Sequence, residues 1–407
     1  MNRWIVTMAL ALAVKNGSAQ LRQSFADSSI RDIVSAVAKN YVFPDIAEKA
    51  ATYILDRQRK GDYKGILSPE DFSRVMTLDL QKVTRDLHLG VSYSPEPIPP
   101  DTGAQSLLPD FEDWLKRIHE ENQYGVKEKK ILAGNIGYIN LTMFGRLELV
   151  ADTLAAAMQT VAGTDALIID LRENHGSIDP ATIPFFSGYV FRDPVHLNDF
   201  YNHPTRDTTQ SWSYGWVPGK RYIHKPVYIL TSGRTFSGGE EFAYDFKNLK
   251  RATLIGETTR GGANPGGDVR ANAHFRVFVP NGRAINPYTK RNWEGVGVSP
   301  DSTVRSGIAL YHAHRIALEK LVATAGKQAG GENWLAALND LKAYPPVFRT
   351  IRLALPGYPD AREVFVAGSF NNWEPNANRM ERNGSLWMAT IDAEPGRHGY
   401  KFVVDGL

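Results

Sequence analysis

From Ile131 onward the sequence alternates between short apolar runs and amphipathic helical patterns. Strands that alternate with helices are typical of an α/β layer, because the helices cover the faces of the sheet that the strands form. The sequence therefore predicts an α/β domain with a substantial sheet in the middle of the chain. In chain order, the alternating segments are 136–141, 150–161, 166–171, 227–230, 238–248 and 253–255.

The regions on either side follow different patterns. Residues 24–84 are mostly helical, with an apolar stripe that includes Ile30, Ile33 and Val37. Residues 348–407 form short alternating runs that Gly and Asn turns separate, which is typical of β-strands. The sequence therefore predicts a helical subdomain before the α/β core and an all-β module after it.

The first residues are typical of a secretory signal peptide. A basic start, Met1 to Arg3, precedes an apolar run over 4–14, and the small residues 17–19 follow it. This layout predicts cleavage after Ala19 and export to the periplasm or the extracellular space. A buried N-terminal helix is the alternative. The run is too short to cross a bilayer, which needs about 20 apolar residues, so we expect no membrane-spanning segment.

Charge and cysteine content exclude several classes of function. The chain has 47 Lys and Arg against 44 Asp and Glu, and this balance does not indicate nucleic-acid binding. It has no cysteine, which excludes disulfides, cysteine zinc sites, iron–sulfur clusters and a cysteine nucleophile. We expect no metal or other cofactor.

These patterns divide the chain into six predicted segments. They are a signal peptide (1–19), an N-terminal helical subdomain (20–98), a linker with a helical connection (99–130), the α/β core (131–325), a linker with a short helix (326–347) and a β-sandwich module (348–407).

The segment 227–257 contains a candidate nucleophile. An apolar strand leads into a Gly/Ser/Thr turn, and a helix begins directly after Ser237. A serine at this junction is exposed at the end of the strand, and the Gly238 amide points from the helix N-terminus into the same space. Acyl transfer needs a nucleophile and amide donors in this arrangement. The alternative is that Ser237 only caps the helix, with Glu240 completing a capping box.

A nucleophilic serine also needs a base, and the chain has ten histidines. His88 lies in the sequence RDLHLG at the end of the helical region, where the chain becomes extended. Taken alone, this position also fits a structural histidine.

Several collinear motifs resemble peptidase family S41. The segment TSGRTFSGGEEFAYDFK with ATLIGETTRGGANPGG, 231–267, is similar to the tricorn-core and interphotoreceptor-retinoid-binding-like branch of that family. The resemblance implies a ClpP/crotonase-like α/β core. The 47 residues between His88 and Ile136 leave no room for a PDZ domain. The motifs that agree in order lie at 85–88, 131–138, 167–176 and 287–301.

The resemblance also implies a set of site residues. Ser237 matches the nucleophile, His88 the general base, and Glu294 the carboxylate that supports the base. Gly238 and Gly176 match the positions whose amides hold the oxyanion. The lysine of the bacterial processing branch falls on Gly262, which favours a Ser–His–Glu site over a Ser–Lys dyad.

Residues 364–406 resemble the glycogen-binding module of AMP-activated kinase β subunits and family-48 carbohydrate-binding modules, which implies an Ig-like β-sandwich. Trp373 offers a flat face to a sugar ring and Lys401 offers hydrogen-bond donors. The motif reaches Leu407 one position before the family's second stacking tryptophan, so we expect the module to be incomplete. A protein-interaction or packing role is the alternative. The aromatic residues predicted for its core are Phe365, Phe370, Trp387 and Phe402.

The leading hypothesis is an exported serine peptidase that hydrolyses protein or peptide substrates. The competing hypothesis is a non-catalytic S41-like protein that binds a lipophilic ligand, a glycan or a protein partner. A third possibility is a carbohydrate-targeted protein in which the core carries the C-terminal module. The combination of Ser237, His88 and Glu294 favours the enzyme, because a binding protein has no physical need for all three.

Overall fold

The computed structural model describes residues 22–100, 109–325, 331–394 and 397–406. The predicted signal peptide, 1–19, lies outside these residues. Within them, no helix combines the length and the apolar character that crossing a membrane requires. The chain divides into two compact units. The first contains the chain up to 102 together with 266–281, and the second contains 103–265 and 282–407.

The elements of the described residues have the following bounds. The helices are α1 (Gln23–Asn40), α2 (Pro44–Lys60), α3 (Pro69–Thr84), α4 (Pro109–Glu121), α5 (Leu147–Val161), α6 (Thr182–Ser187), α7 (Gly238–Asn248), α8 (Ala309–Ala325) and α9 (Gly331–Ala343). The strands are β1 (Gly90–Tyr93), β2 (Val126–Leu132), β3 (Ile136–Leu141), β4 (Ala166–Asp170), β5 (His196–Asn202), β6 (Thr208–Trp212), β7 (Val227–Thr231), β8 (Thr253–Gly256), β9 (Gly266–Arg270), β10 (Phe275–Pro280), β11 (Gly282–Ile285), β12 (Ser302–Thr303), β13 (Arg349–Pro356), β14 (Val364–Gly368), β15 (Glu381–Asn383), β16 (Leu386–Ala393) and β17 (Tyr400–Val404).

The first unit packs the helices α1, α2 and α3 with a small antiparallel sheet of order β1-β10-β9. The predicted stripe on α1 is confirmed, since Ile30, Ile33 and Val37 are buried. Helix α3 begins where the side chain of Ser68 accepts a hydrogen bond from the Asp71 amide, with a proline in its first turn. The hairpin of β9 and β10 comes from far along the chain and completes this unit.

The second unit is built on a six-stranded sheet of order β12-β8-β7-β4-β3-β2. The strands from β12 to β3 run parallel, and β2 pairs antiparallel with β3 at one edge. Every residue of β3, β4 and β7 is buried. Continuous apolar runs of this kind belong to parallel strands that helices cover on both faces. The predicted α/β layer is therefore confirmed.

Helices cover both faces of this sheet. One apolar cluster packs α5, α6 and α7 on one face, with residues such as Leu154 and Phe242. A second cluster packs α8 and α9 on the other face, with residues such as Leu318 and Trp334. Because β4 and β7 are parallel neighbours, the loops that follow them emerge side by side at the same edge of the sheet.

The C-terminal module is a β-sandwich, as predicted. Its two sheets have the orders β13-β16-β15 and β14-β17, and both are antiparallel. The interior contains Val364, Met380 and Trp387, with Phe370 and Phe402 partly buried against them. The aromatic residues of this module therefore serve mostly as core, while Trp373 remains 38% exposed.

Candidate active site

Ser237 occupies a strained turn between β7 and α7. It is half-buried at the N-cap of α7, with φ 53° and ψ −119°. A residue with a Cβ rarely adopts positive φ, and the surrounding contacts must hold it there. This backbone places the Ser237 side chain at the N-terminus of the helix.

The buried carboxylate of Glu240 holds this turn. Its Oε2 accepts hydrogen bonds from the amides of Ser237 (2.9 Å) and Gly262 (2.8 Å). Its Oε1 accepts from Thr259 Oγ1 (2.5 Å) and from the Gly261 amide (2.6 Å). Burial raises the pKa of Glu240 to about 7, although these four donors oppose the shift. The carboxylate half of the predicted capping box is therefore present, with Ser237 at the N-cap position of the helix.

The loop after β4 contacts the Ser237 turn through glycine. Gly176 has φ +119°, and a Cβ on it would lie 2.9 Å from Ser237 Cβ and 3.3 Å from Ser237 Oγ. A Cβ on Gly238 would lie 2.6 Å from the Cβ of Ser177. Contacts below 3 Å are too close for real side chains, so the two loops approach this closely only because both positions are glycine.

The backbone amides around Ser237 differ in whether they already donate a hydrogen bond. The Gly176 amide donates to Asn174 Oδ1 (2.9 Å), and this asparagine was not among the residues predicted from sequence. Among the described residues, no acceptor is hydrogen-bonded to the amides of Gly238 or Ser177. The site therefore has two uncommitted donors beside Ser237, and a third that Asn174 already occupies.

Glu294 is connected to the same turn through one loop. Its Oε2 accepts from the amides of Ala263 (2.6 Å) and Asn264 (3.2 Å). The preceding residue, Trp293, is buried and donates to the Gly262 carbonyl (2.7 Å). Glu240 accepts hydrogen bonds from the amides of 261 and 262, and Glu294 accepts from those of 263 and 264. Two carboxylates therefore bind the loop 260–264.

His88 lies in the first unit, between α3 and β1. Its amide donates to Asp86 Oδ1 (3.0 Å), and its ring nitrogen Nδ1 lies 3.8 Å from the same oxygen. Asp86 is buried and also accepts from the Tyr41 hydroxyl (3.2 Å). The imidazole stacks on Phe278, and burial lowers its pKa to about 4. The carboxylate of Asp86, two residues before His88, is a neighbour that the Asp-x-His spacing could have indicated.

Of the five predicted catalytic and oxyanion residues, four lie in the second unit and His88 lies in the first. Within the second unit, the structure brings Ser237, Gly238 and Gly176 together and connects Glu294 to them through the loop 260–264. His88 has its own buried carboxylate neighbour within the first unit.

Trp373 and Lys401 lie near one end of the β14–β17 sheet. Lys401 pairs with Ala367, and the Trp373 amide donates to the Gly368 carbonyl (2.9 Å). The Trp373 ring lies against Gly399, and Lys401 is exposed. Both predicted carbohydrate-contacting side chains are therefore accessible.

Three family models match the chain. The model of peptidase family S41 matches 135–304, and that of the N-terminal domain of S41 peptidases in eukaryotic IRBP matches 8–126. The model of the glycogen recognition site of AMP-activated protein kinase matches 358–407. These matches correspond to the α/β core, the helical subdomain and the β-module.

Two individual proteins are similar to parts of this chain. Tricorn protease of Thermoplasma volcanium is 28% identical over 144 residues, which is 35% of this chain but only 12% of tricorn protease. The 5'-AMP-activated protein kinase subunit beta-1 of Sus scrofa is 32% identical over 105 residues, 24% of this chain and 70% of that subunit.

Among solved structures, a lipoprotein from Streptococcus agalactiae superposes with a TM-score of 0.47 at 12% identity, covering 79% of this chain and 100% of the lipoprotein. The three matches identify the domains of the chain. It contains a peptidase family S41 domain over 135–304, preceded by an IRBP-type N-terminal domain and followed by a glycogen-recognition module of the AMP-activated protein kinase type.

Proposed function

We propose that this chain is an exported serine peptidase that hydrolyses peptide bonds through an acyl-enzyme on Ser237. One observation carries the proposal: Ser237 lies on a strained turn at a helix N-terminus, beside two amides that have no acceptor among the described residues. Acyl transfer uses such an arrangement, because the amides stabilise the negative charge that develops on the substrate oxygen.

The resemblance to family S41 assigns the proton transfers. Ser237 Oγ attacks the peptide carbonyl carbon, and His88 accepts the hydroxyl proton. His88 then donates this proton to the leaving amine as the C–N bond breaks. Water hydrolyses the resulting ester by the same route in reverse. Burial lowers the pKa of His88 to about 4, so the imidazole is neutral at neutral pH and able to accept a proton. We assign Glu294 as the carboxylate that supports this base.

The oxyanion is assigned to the amides of Gly238 and Gly176. The Gly238 amide is uncommitted, whereas the Gly176 amide donates to Asn174. A substrate oxyanion would therefore have to compete with Asn174 for Gly176, while the neighbouring Ser177 amide offers a donor without that competition. Removing one oxyanion donor lowers kcat by about 10²- to 10³-fold in enzymes of this kind.

The decisive test compares the wild type with Ser237→Ala. Both proteins are incubated with a fluorophosphonate probe and with a peptide library, and Ser302→Ala serves as a matched control at a serine elsewhere in the core. We expect probe labelling and peptide hydrolysis in the wild type and the control, and neither in Ser237→Ala. Absence of both from the wild type would overturn the peptidase assignment and favour a ligand-binding protein.

Export and glycan recognition belong to the same proposal. The basic start, apolar run and small residues at 17–19 support cleavage after Ala19 and a periplasmic or extracellular location. N-terminal sequencing of the secreted protein tests this, with a mature chain beginning at Gln20 as the expected result. The similarity to a glycogen recognition site and the exposed Trp373 support a glucan, or a protein partner, at the C-terminal module.

A further inference from the structure

The C-terminal module contacts the core beside the loop that carries Ser237. Asn372 Nδ2 donates to Glu257 Oε2 (2.8 Å), and the amide of Gly233 donates to the same oxygen (3.3 Å). Gly233 lies four residues before Ser237 in the loop that follows β7. One carboxylate oxygen therefore joins the module to the nucleophile loop.

Glycine makes this approach possible. A Cβ on Gly233 would lie 3.0 Å from Asn372 Nδ2, so the asparagine side chain rests on the backbone of the loop. A second contact is similar, since a Cβ on Gly307 would lie 2.3 Å from Glu394 Oε1. The neighbouring amide of Ser306 donates to Glu257 Oε1 (2.8 Å), so each of these two contacts leads to Glu257.

The remainder of this interface is polar and loosely filled. Cavities of about 370 and 440 Å³ flank the link, and Asn372 and Glu394 line both of them. The apolar cluster of the module consists of residues from 351–404. Polar interfaces between domains of one chain generally allow relative motion. Individual hydrogen bonds at Glu257 therefore have a large influence on how the module docks.

The rest of the nucleophile loop is well ordered by side-chain bonds. Ser232 Oγ donates to the Arg172 carbonyl (2.6 Å), and Thr235 Oγ1 donates to the Leu171 carbonyl (2.7 Å). These bonds attach the loop to the end of β4. On the β8 side, the loop is held by the hydrogen bond from the Gly233 amide to Glu257. Asn372 of the module binds the same carboxylate.

We propose that Glu257 is a positioning residue for the nucleophile turn and that Asn372 of the module sets its position. With the amide of Asn372 bound, the carboxylate is oriented to accept from Gly233 and Ser306 together. When that donor is lost, the carboxylate is free to rotate and the first residues of the turn lose a fixed acceptor. The module thereby acts on the site of the proposed peptidase. Where enzymatic turnover is measured, this inference rests on the proposed function.

The test is a double-mutant cycle in the full-length chain. Asn372→Asp is nearly isosteric and replaces the donor with a carboxylate that Glu257 repels. We expect kcat to fall about five- to tenfold with KM changed less than twofold, because the turn is displaced while substrate contacts remain. In the Glu257→Gln background the same substitution should change kcat less than twofold, because the repelling carboxylate is gone. Equal effects in both backgrounds would refute the inference.

A second measurement does not depend on turnover. Hydrogen exchange of the 231–237 peptide, followed by mass spectrometry, should be at least threefold faster in Asn372→Asp than in the wild type. Asn383→Asp, which makes the same change on the exposed strand β15, is the control and should leave exchange unchanged. Asn372→Gly, which suits the positive φ of 56°, should behave like Asn372→Asp.

The two proposals fail in different ways. An inactive wild type whose 231–237 peptide still responds to Asn372→Asp contradicts the peptidase assignment and supports the link. An active wild type whose exchange and kcat ignore both substitutions at 372 contradicts the link and leaves the peptidase assignment standing.

Discussion

Two turns of this chain have positive φ at residues that carry a Cβ, and different contacts hold them. Ser237 in the core has φ 53°, and Asn372 and Trp373 in the module have φ 56° and 62°. The Ser237 amide bonds to the buried carboxylate of Glu240, whose other bonds reach 259–262. In the module turn the Trp373 amide bonds to a carbonyl, and the Asn372 side chain reaches across a polar interface.

Ser237 combines its positive φ with ψ −119°, whereas Asn372 has ψ 25° and lies in the left-handed helical region, so the two backbones differ. Positive φ at residues with a Cβ costs on the order of 1–3 kcal/mol and persists only where neighbouring contacts compensate. The buried carboxyl group of Glu240, which accepts four hydrogen bonds, leaves the Ser237 turn little freedom, as the nucleophile role proposed for Ser237 requires. The module turn keeps an exposed aromatic ring, and the neighbouring Asn371 side chain holds its backbone by accepting from the Gly368 amide and donating to the Val366 carbonyl.

The largest effect is expected for Gly176→Ala. The added Cβ would collide with Ser237, and alanine disfavours the φ of +119°. We expect at least about a 100-fold loss of Ser237-dependent hydrolysis, together with a loss of about 1–3 kcal/mol in unfolding free energy. Gly163→Ala is the matched control, because a Cβ there meets nothing within 4 Å. Similar activities for the two variants would contradict the tight-turn description of the core site.

The next effect is expected for Glu240→Gln. Glutamine has an NH₂ group in place of one carboxylate oxygen. This group cannot accept a hydrogen bond from the N–H or O–H donors that now bind that oxygen. We expect kcat to fall by about ten- to 100-fold, since a small displacement of the nucleophile has effects of this size. Glu148→Gln makes the same change in the first turn of α5, where the side chain is 72% exposed, and should be neutral. Steady-state kinetics of the three proteins gives the comparison.

The free energy of unfolding is expected to depend on pH because Glu240 is buried in the Ser237 turn. Burial raises the pKa of Glu240 from 4.5 to about 7, so the folded protein binds this proton more tightly than the unfolded chain does. The resulting stabilisation is present in full below pH 4.5 and is lost as the pH rises through 7. Denaturation curves should show the difference between wild type and Glu240→Gln changing by about 3 kcal/mol between pH 4 and pH 8. A difference that stays constant with pH would show that Glu240 does not titrate in this way.

The smallest effect is expected at the module turn. Trp373→Ala removes the exposed ring, and we expect maltoheptaose binding to weaken by up to about tenfold, with the melting temperature unchanged within error. Trp216→Ala, which removes a 74% exposed tryptophan of the core, is the control. Titration calorimetry checks both variants. Equal affinities for the Trp373→Ala variant and the wild type would assign the module turn to packing or protein interaction.

Local patterns in the sequence predicted the elements that surround Ser237. The strand over 136–141 and the helix over 238–248 have the predicted bounds, because apolar runs and helical periodicity depend on neighbouring residues. The hairpin of β5 and β6 escaped prediction. Its strands are largely polar and half-exposed, so they lack the apolar alternation by which strands are recognised.

The same local patterns could not predict which distant residues pair with one another. The hairpin of β9 and β10 follows the core elements in sequence but pairs with β1 in the first unit. Glu240 joins the Ser237 turn to the loop 260–264, more than twenty residues further along the chain. Each of these contacts follows from chain packing, which no local spacing encodes.

The sequence by itself therefore determined the α/β core, the helical subdomain, the β-module and the identity of the S41 motifs around Ser237. These properties depend on periodicity and on residues that lie close together along the chain. Only the tertiary structure decided which amides beside Ser237 are uncommitted and that the module reaches the nucleophile loop through Glu257. Hydrogen bonds of this kind require backbone and side-chain atoms from distant segments to meet within about 3 Å, and the folded chain alone brings them there.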